Sequence, residues 1–408
     1  AGARDCDHLH SGSGFLFNHV GLTNEFEQNL QLVDPAVTVP FWDFTIDGHA
    51  IYSLHGGDFD ALWNSVIFDP QWFGDARNEH FTVTEGRWAW ALKIADEQWD
   101  NQVHNSYGLM RAPWNNNNFP FVQRFPSLAG VPLWNIKDGW PVCEYHFDVV
   151  KKHRTWLDFA NNIAGEPHGS VHGILGGSMN YNEAYDALED KGLLPKETVA
   201  RIREKTYKST KALWRTGLRP CPEYCPLEAP MDECKCTCGA DIWERLDDPD
   251  VLQQYIGATL FGVGTEDLDA LSYDQKKEVI VTLCDQVTVI GDGLESASPA
   301  DPIFWPIHPT VERLFVWKML NGGLDEYEWA EDNIIPAGMD HTCYLHGPND
   351  RMPWKLMMDT GSKRVQKTYS NKEMFSATNP IGDFKMPYVY DNFEWPHCID
   401  EGFDFNRI

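Results

Sequence analysis

The chain has 408 residues, 42% hydrophobic and 23% charged, enough to bury a large core in one domain or two. Its 33 basic residues against 61 acidic ones give a net charge of -28, which argues against nucleic acid and anionic membranes as partners. No apolar run approaches the length of a membrane span.

The chain opens Ala1-Gly2-Ala3-Arg4, without methionine or signal peptide, and reads as processed or partial. Residues 1–14 read as a loop with Cys6, His8 and His10. A helix is expected over Phe15–Leu30, with His19, Leu22, Phe26 and Leu30 on one inward stripe. A core-facing neutral imidazole needs a partner for each ring nitrogen. The plain partner for His19 is a carbonyl or carboxylate; the sharper one is a metal. Next comes Val39-Pro40-Phe41-Trp42-Asp43-Phe44, an aromatic cluster whose acid reads as a cap for nearby amides. Residues 50–140, with 115–118 all Asn, read as long loops with short helices and no chemistry. His49, His55, His80 and His104 fall in no pattern.

Residues 146–165 lead into Glu166-Pro167-His168-Gly169-Ser170-Val171-His172-Gly173-Ile174-Leu175-Gly176-Gly177-Ser178-Met179. On a helix, His168 and His172 share one face, one turn apart, with Leu175 and Met179. Two such inward imidazoles can hold one metal ion without bending the backbone. Alone the pair is weak, because buried histidines are more often hydrogen-bonded core residues. Gly176 and Gly177 end the helix. Residues 180–297 look like an insertion with helical patches at Glu197–Trp214, Asp241–Leu260 and Glu266–Cys284. A further helix is expected after Pro309, with His308 at its entrance and Val311, Leu314, Phe315 and Lys318 at helical spacing. From about 325 the chain mixes turns and short strands, with Tyr388-Val389-Tyr390 near its end.

The cysteines number ten, and five of them lie between 221 and 238. In an acidic chain this reads as disulfides and a secreted or extracytoplasmic location. The rival is a zinc site in the 221–238 cluster, whose spacing fits no familiar zinc pattern. No N-x-S/T sequon supports secretion.

Together these pieces resemble the type 3 copper family: tyrosinases, catechol oxidases and molluscan-type haemocyanins. Four stretches carry the resemblance, in order over roughly residues 8–391. His10, His19, Phe26-Glu27 and the 39–44 cluster are similar to the first copper motif and its Pro-Tyr-Trp-Asp-Trp signature. Glu166-Pro167-His168, His172 and 176–179 resemble the first half of the second copper motif. Ser298-Pro299, Asp301-Pro302-Ile303-Phe304-Trp305, His308 and Arg313-Leu314 resemble its second half, and are the most specific of the four. Tyr388-Val389-Tyr390 resembles the Tyr-x-Tyr that closes the core domain.

The resemblance implies a mainly α fold: a tyrosinase-like helical bundle around a dicopper centre, with long loops and a large helical, Cys-rich insertion. The core would span 1–179 and 298–391, the insertion 180–297 and a C-terminal tail 392–408. His10 and His19 would ligate the first copper, and His168, His172 and His308 the second. Asp301 and Arg313 would orient the last motif. The family's first copper has one more histidine, upstream of the position matched by His10, that this chain as given does not contain; His8 could stand in. The cofactor would be copper, as two ions if the first site is completed. Asn18-His19-Val20 replaces Trp-His-Arg, and Ile307-His308 replaces His-His. The stretch from His172 to His308 is far longer than in the family, and Gly169 and Gly173 follow the two histidines where tyrosinases often have Asn after the first.

The activity implied is oxidation of o-diphenols to o-quinones by O2, with O2 and a small phenolic substrate as partners. One alternative is a degenerate relative with a structural or binding role in an extracellular assembly, with protein partners. Another is an oxygen carrier whose coppers are covered against phenols.

Overall fold

A computed structural model describes residues 4, 6–10, 12–95, 103–129, 131–132, 139–180, 183–260, 263–329, 343–359 and 363–407. The fold is mainly helical, as the resemblance implies. After α1 (Phe15–Leu30) and the short α2 (Phe44–His49), residues 50–95 and 103–126 run mostly as loops and single turns, followed by β1 (Ser127–Leu128), which pairs with β2 (Val131–Pro132). Then come α3 (Cys143–Lys152), α4 (Trp156–Gly165), α5 (His168–Gly176) and β3 (Ser178–Asn180). Residues 183–284 carry α6 (Glu183–Asp190), α7 (Lys196–Arg215), α8 (Ile242–Arg245), α9 (Pro249–Thr259), α10 (Glu266–Asp269) and α11 (Tyr273–Cys284). The chain returns through β4 (Thr288–Ile290) to α12 (Ile307–Leu320), and ends with β5 (Arg351–Asp359), β6 (Arg364–Ser370), α13 (Asn371–Thr378) and α14 (Pro396–Asp400).

Helix α12 is the centre of the bundle. It is buried from Ile307 to Met319 on every side, as a helix without a solvent face must be. Around it pack α1, α3, α4 and α5, in a core where Phe17 stacks on Trp156 at 5.1 Å and meets Phe315 edge-on at 5.4 Å. Each such fully buried side chain contributes about 1.5–3 kcal/mol relative to exposure. The hairpin β5–β6 lies on α1, where Gln28 exchanges two hydrogen bonds with the Met357 backbone. Gly21 permits this approach: a Cβ there would lie 2.5 Å from Trp354.

The inward stripe of α1 differs from the expected one. His19 is buried, but Leu22, Phe26 and Leu30 are only half-buried, and the buried positions beyond Val20 are Gly21, Thr23, Asn24 and Glu27. The second half of α1 faces a cavity of mixed lining rather than the apolar core. Met179 is also displaced: Gly177, at φ 62°, turns the chain into β3 and leaves Met179 42% exposed. The expected helix over Asp241–Leu260 is split where Asp248 caps α9 and Pro249 opens it. The one over Glu266–Cys284 is split by a capping box, Ser272 with Gln275. Tyr388-Val389-Tyr390 forms no strand.

The sheet β2–β1–β3–β4 ties the end of α5 to the segment before α12, with Ser178 opposite Ile290 and Asn180 opposite Thr288. Residues 185–284 share a second hydrophobic core, in which Tyr185, Val199, Tyr255 and Ile280 are fully buried. All ten cysteines are paired: Cys6–Cys343, Cys143–Cys398, Cys221–Cys236, Cys225–Cys234 and Cys238–Cys284. The 221–238 cluster therefore offers zinc no thiolate. Residues 392–407 are anchored to the bundle through Cys398, Trp395 and Phe405, all buried in its core.

Candidate functional site

Five histidines from three helices and one loop meet beside α12. His10 comes from the loop before α1, His19 from α1, His168 and His172 from α5, and His308 from the first turn of α12. Their rings are neighbours. Centroids lie 5.1 Å apart for His10 and His19, 4.5 Å for His168 and His172, 5.4 Å for His172 and His308, and 4.7 Å for His19 and His308. His19, His168 and His308 each place a ring nitrogen within 4.8 Å of the other two.

The second nitrogen of each ring is spoken for. Nδ1 of His19 meets the Phe15 carbonyl at 2.8 Å, that of His168 the Ala164 carbonyl at 3.1 Å and that of His308 the Phe304 carbonyl at 3.1 Å. All three acceptors lie four residues back along the chain. His172 Nδ1 reaches the Gly293 carbonyl at 2.7 Å, and His10 Nδ1 the Asp7 carboxylate at 3.1 Å. A carbonyl or carboxylate can only accept, so each Nδ1 carries a proton, and the neutral rings of His19, His168, His172 and His308 keep a lone pair on Nε2. The Nε2 of His172 is buried without a hydrogen-bond partner, and those of His168 and His308 face each other at 3.1 Å. Orphaned imidazole lone pairs converging in a buried site fit a soft-to-borderline cation such as copper.

Electrostatics keep the rings ready to ligate. Burial holds the imidazoles of His19, His168 and His308 well below the ordinary histidine value, and the neighbouring rings add to the effect. Burial takes His172 down to about 4. At neutral pH these four rings are uncharged, as ligands must be. Burial pushes the Asp7 carboxyl up, but Lys211 and His10 outweigh it and hold it well below the usual carboxylate range. Asp7 is thus a fixed anion behind His10.

Three carboxylates paired with cations support the site. Asp292 accepts two hydrogen bonds from Arg111, at 3.1 and 3.0 Å, and lies 3.0 Å from Lys93. It neighbours Gly293, the anchor of His172. The nearby Glu295 bonds the Ala112 amide, and burial raises its carboxyl to about 8. Asp301 caps the turn before α12 and pairs with Arg124 at 2.7 Å. Arg313 pairs with Asp43 at 3.0 Å and bonds Asn392, while Asp43 caps α2. Lys93, Arg111, Arg124 and Glu295 had no sequence signal: the basic residues sit in the stretch read as loop, far from their partners.

Among the other described histidines, His346 is buried beside the anchor of His10: its Nε2 meets the Asp7 backbone carbonyl at 2.8 Å and its Nδ1 has no hydrogen-bond partner. His8 lies against the Cys6–Cys343 disulfide, with Nδ1 2.9 Å from the Tyr344 carbonyl. His49 pairs with Glu401 at 2.6 Å, and His80 lies beside Glu79. His146 is buried with Nδ1 on the Val142 carbonyl, behind Phe44. Phe15 and Phe304 wall the cluster, with centroids 4.6 Å from His168 and 4.2 Å from His308. Beside His172, Gly173 leaves open space: a Cβ there would meet nothing within 4 Å. Glu166 accepts a hydrogen bond from Ser170 at 2.7 Å.

Residues 2–190 match the family model described as the common central domain of tyrosinase, a span that includes His10, His19, His168 and His172. The chain is also similar to grixazone synthase of Streptomyces griseus subsp. griseus, at 25% identity over 247 residues, covering 55% of this chain and 72% of that protein.

Proposed function

We propose that this chain, a divergent member of the type 3 copper family by its likeness to the central domain of tyrosinase, oxidises o-diphenols to o-quinones at the expense of O2. The reading rests on the common orientation of the five imidazoles, each with Nδ1 tied to an oxygen and Nε2 left to ligate. His168, His172 and His308 would hold one copper, and His10 and His19 a second. Copper supplies one-electron chemistry and a place for O2 to bind. In the overall reaction each diphenol gives up two electrons and two protons, and two diphenols reduce one O2 to two waters.

The chain's own residues do the rest. The carbonyl anchors fix each tautomer and raise the basicity of the ligating nitrogen. Phe15 and Phe304 keep bulk water from the rings. Gly173 puts no side chain next to His172, and a Cβ there would meet nothing within 4 Å. Gly169 and Gly173 supply no base, and Glu166 is engaged by Ser170. A monophenol, with an intrinsic pKa near ~10, needs help to lose its proton. An o-diphenol needs less, so the substrate class is the diphenol. The five disulfides support a secreted or extracytoplasmic location.

The test is oxygen uptake with catechol and with phenol at equal copper loading. Uptake with catechol and slow or absent uptake with phenol is expected; comparable rates would overturn the diphenol restriction. Copper binding without uptake on either would favour a second reading, a structural or binding role in an extracellular assembly. What supports that second reading is that, among the described residues, the two imidazoles of His10 and His19 pair at the first site.

A further inference from the structure

One helical turn beyond His19 and His308, the chain encloses a cavity of about 310 Å³ that none of the five histidines lines. Its floor comes from α1 (Thr23, Asn24, Glu27) and α12 (Pro309, Glu312), and its exposed rim includes Pro40, Val389 and Asp391. Three aromatic rings form a wall: Phe41 and Tyr390 lie 5.9 Å apart at 62°, Tyr390 and Tyr388 6.1 Å apart at 83°.

Every charged side chain lining the cavity is a carboxylate: Glu27, Glu312 and Asp391. Glu312 accepts from Tyr388 and Tyr390 at 2.8–2.9 Å, and Glu27 from Thr38 and the Val39 amide at 2.7 and 2.8 Å. Both carboxylates are thus fixed in place. The nearby cation, Arg313, sits over the Phe41 ring at 4.4 Å and is taken by Asp43 and Asn392. Two lining oxygens have no partner although buried: Asn24 Oδ1, on a residue 2% exposed, and Thr23 Oγ1, on one 6% exposed. The Asn24 amide nitrogen is committed to the Val20 carbonyl and the Tyr388 hydroxyl, both at 2.9 Å, so its oxygen is an open acceptor.

Carboxylates without an interior cation, open acceptors and aromatic faces together describe a site for a cation that carries N–H groups. We propose that this cavity binds a small protonated primary amine, with its ammonium among Glu312, Glu27, Asn24 and Thr23 and its carbon body against Phe41, Tyr388 and Tyr390. A quaternary ammonium would leave the two acceptors unpaired, and a neutral alcohol would leave the carboxylates uncompensated. The volume is at the small end of ligand pockets, which start near ~300 Å³.

The test is calorimetric titration of the full chain, metal-free and copper-loaded, with 2-phenylethylamine, 2-phenylethanol and tetramethylammonium at pH 8. One saturable amine site is expected in both forms, with the alcohol and the quaternary ion each at least about tenfold weaker. Glu312→Gln should weaken the amine about tenfold or more, and Val389→Arg, a change at a position 80% exposed that leaves the interior intact, should do the same by setting a cation at the mouth. His172→Ala should leave amine binding unchanged, which separates this cavity from the histidine cluster. Equal affinity for amine and alcohol, insensitivity to both Glu312→Gln and Val389→Arg, or no saturable binding up to about 10 mM would overturn the proposal.

Discussion

The Nε2 atoms of His168 and His308 face each other at 3.1 Å while both Nδ1 atoms are tied to carbonyls. Two lone pairs at that distance repel unless a proton or a cation lies between them. In metal-free protein, removing one ring should therefore cost less than a buried imidazole normally would. His168→Ala should lower metal-free stability by no more than about 1–2 kcal/mol, with the helical circular dichroism unchanged, because relief of the repulsion offsets the cavity left behind. Added copper should stabilise the parent chain by about 4 kcal/mol at a thousandfold excess over Kd, and the variant far less. Thermal melts with and without copper read both effects.

The histidine cluster also sets an acid limit. An unfolded histidine titrates near ~6.5, whereas burial holds His172 to about 4 and keeps His19, His168 and His308 well below the ordinary value. The unfolded chain then binds more protons than the folded one as pH falls below about 6.5. Metal-free stability should be fully present above that value and decline toward pH 4 and below. Melting temperatures across this window should fall less in His172→Ala than in the parent.

Glu312 works in the opposite direction. Burial raises its carboxyl from 4.5 to about 7, despite hydrogen bonds from Tyr388 and Tyr390 that pull it down, and Glu27 faces it as a like charge. Between pH 4.5 and 7 the folded chain holds a proton that the unfolded chain has lost, so this group's contribution to stability fades as pH rises. Glu312→Gln does not titrate. Its stability relative to the parent should improve by up to about 3 kcal/mol from pH 4.5 to pH 7, a difference that paired denaturant curves resolve.

Asp292 tests the support behind His172. It is fully buried between Arg111 and Lys93, so Asp292→Ala leaves two buried cations without their counter-ion. The expected loss is about 3–5 kcal/mol. Because Gly293 is the next residue, copper affinity should also fall by about 10–100-fold. Chemical denaturation gives the first number and copper titration of the folded variant the second.

Much of this was legible in the residues. The bounds of α1, the helix from His168 and the helix that carries His308 follow from apolar spacing, glycines and prolines. What failed did so for physical reasons. The apolar stripe of α1 runs on paper through Leu22, Phe26 and Leu30, but Thr23, Asn24 and Glu27 are buried instead, against a cavity that periodicity cannot announce. Breaks at Asp248-Pro249 and at Ser272 were written as caps, yet the longer apolar patterns ran across them. The pairings of Asp292 with Lys93 and Arg111, and of Asp301 with Arg124, join stretches far apart in sequence, and no local signal marks them. Cysteine spacing pointed to oxidation but not to connectivity.

The central claim is that the five histidines form a copper centre. Copper titration of the metal-free chain, followed by metal analysis after gel filtration, tests it most directly. The parent should retain two coppers of unequal affinity. His168→Ala should lose the tighter one, held by three imidazoles, and His19→Ala the weaker one, with fold intact in both. A folded parent that retains no copper, or copper retention indifferent to both substitutions, would contradict the account.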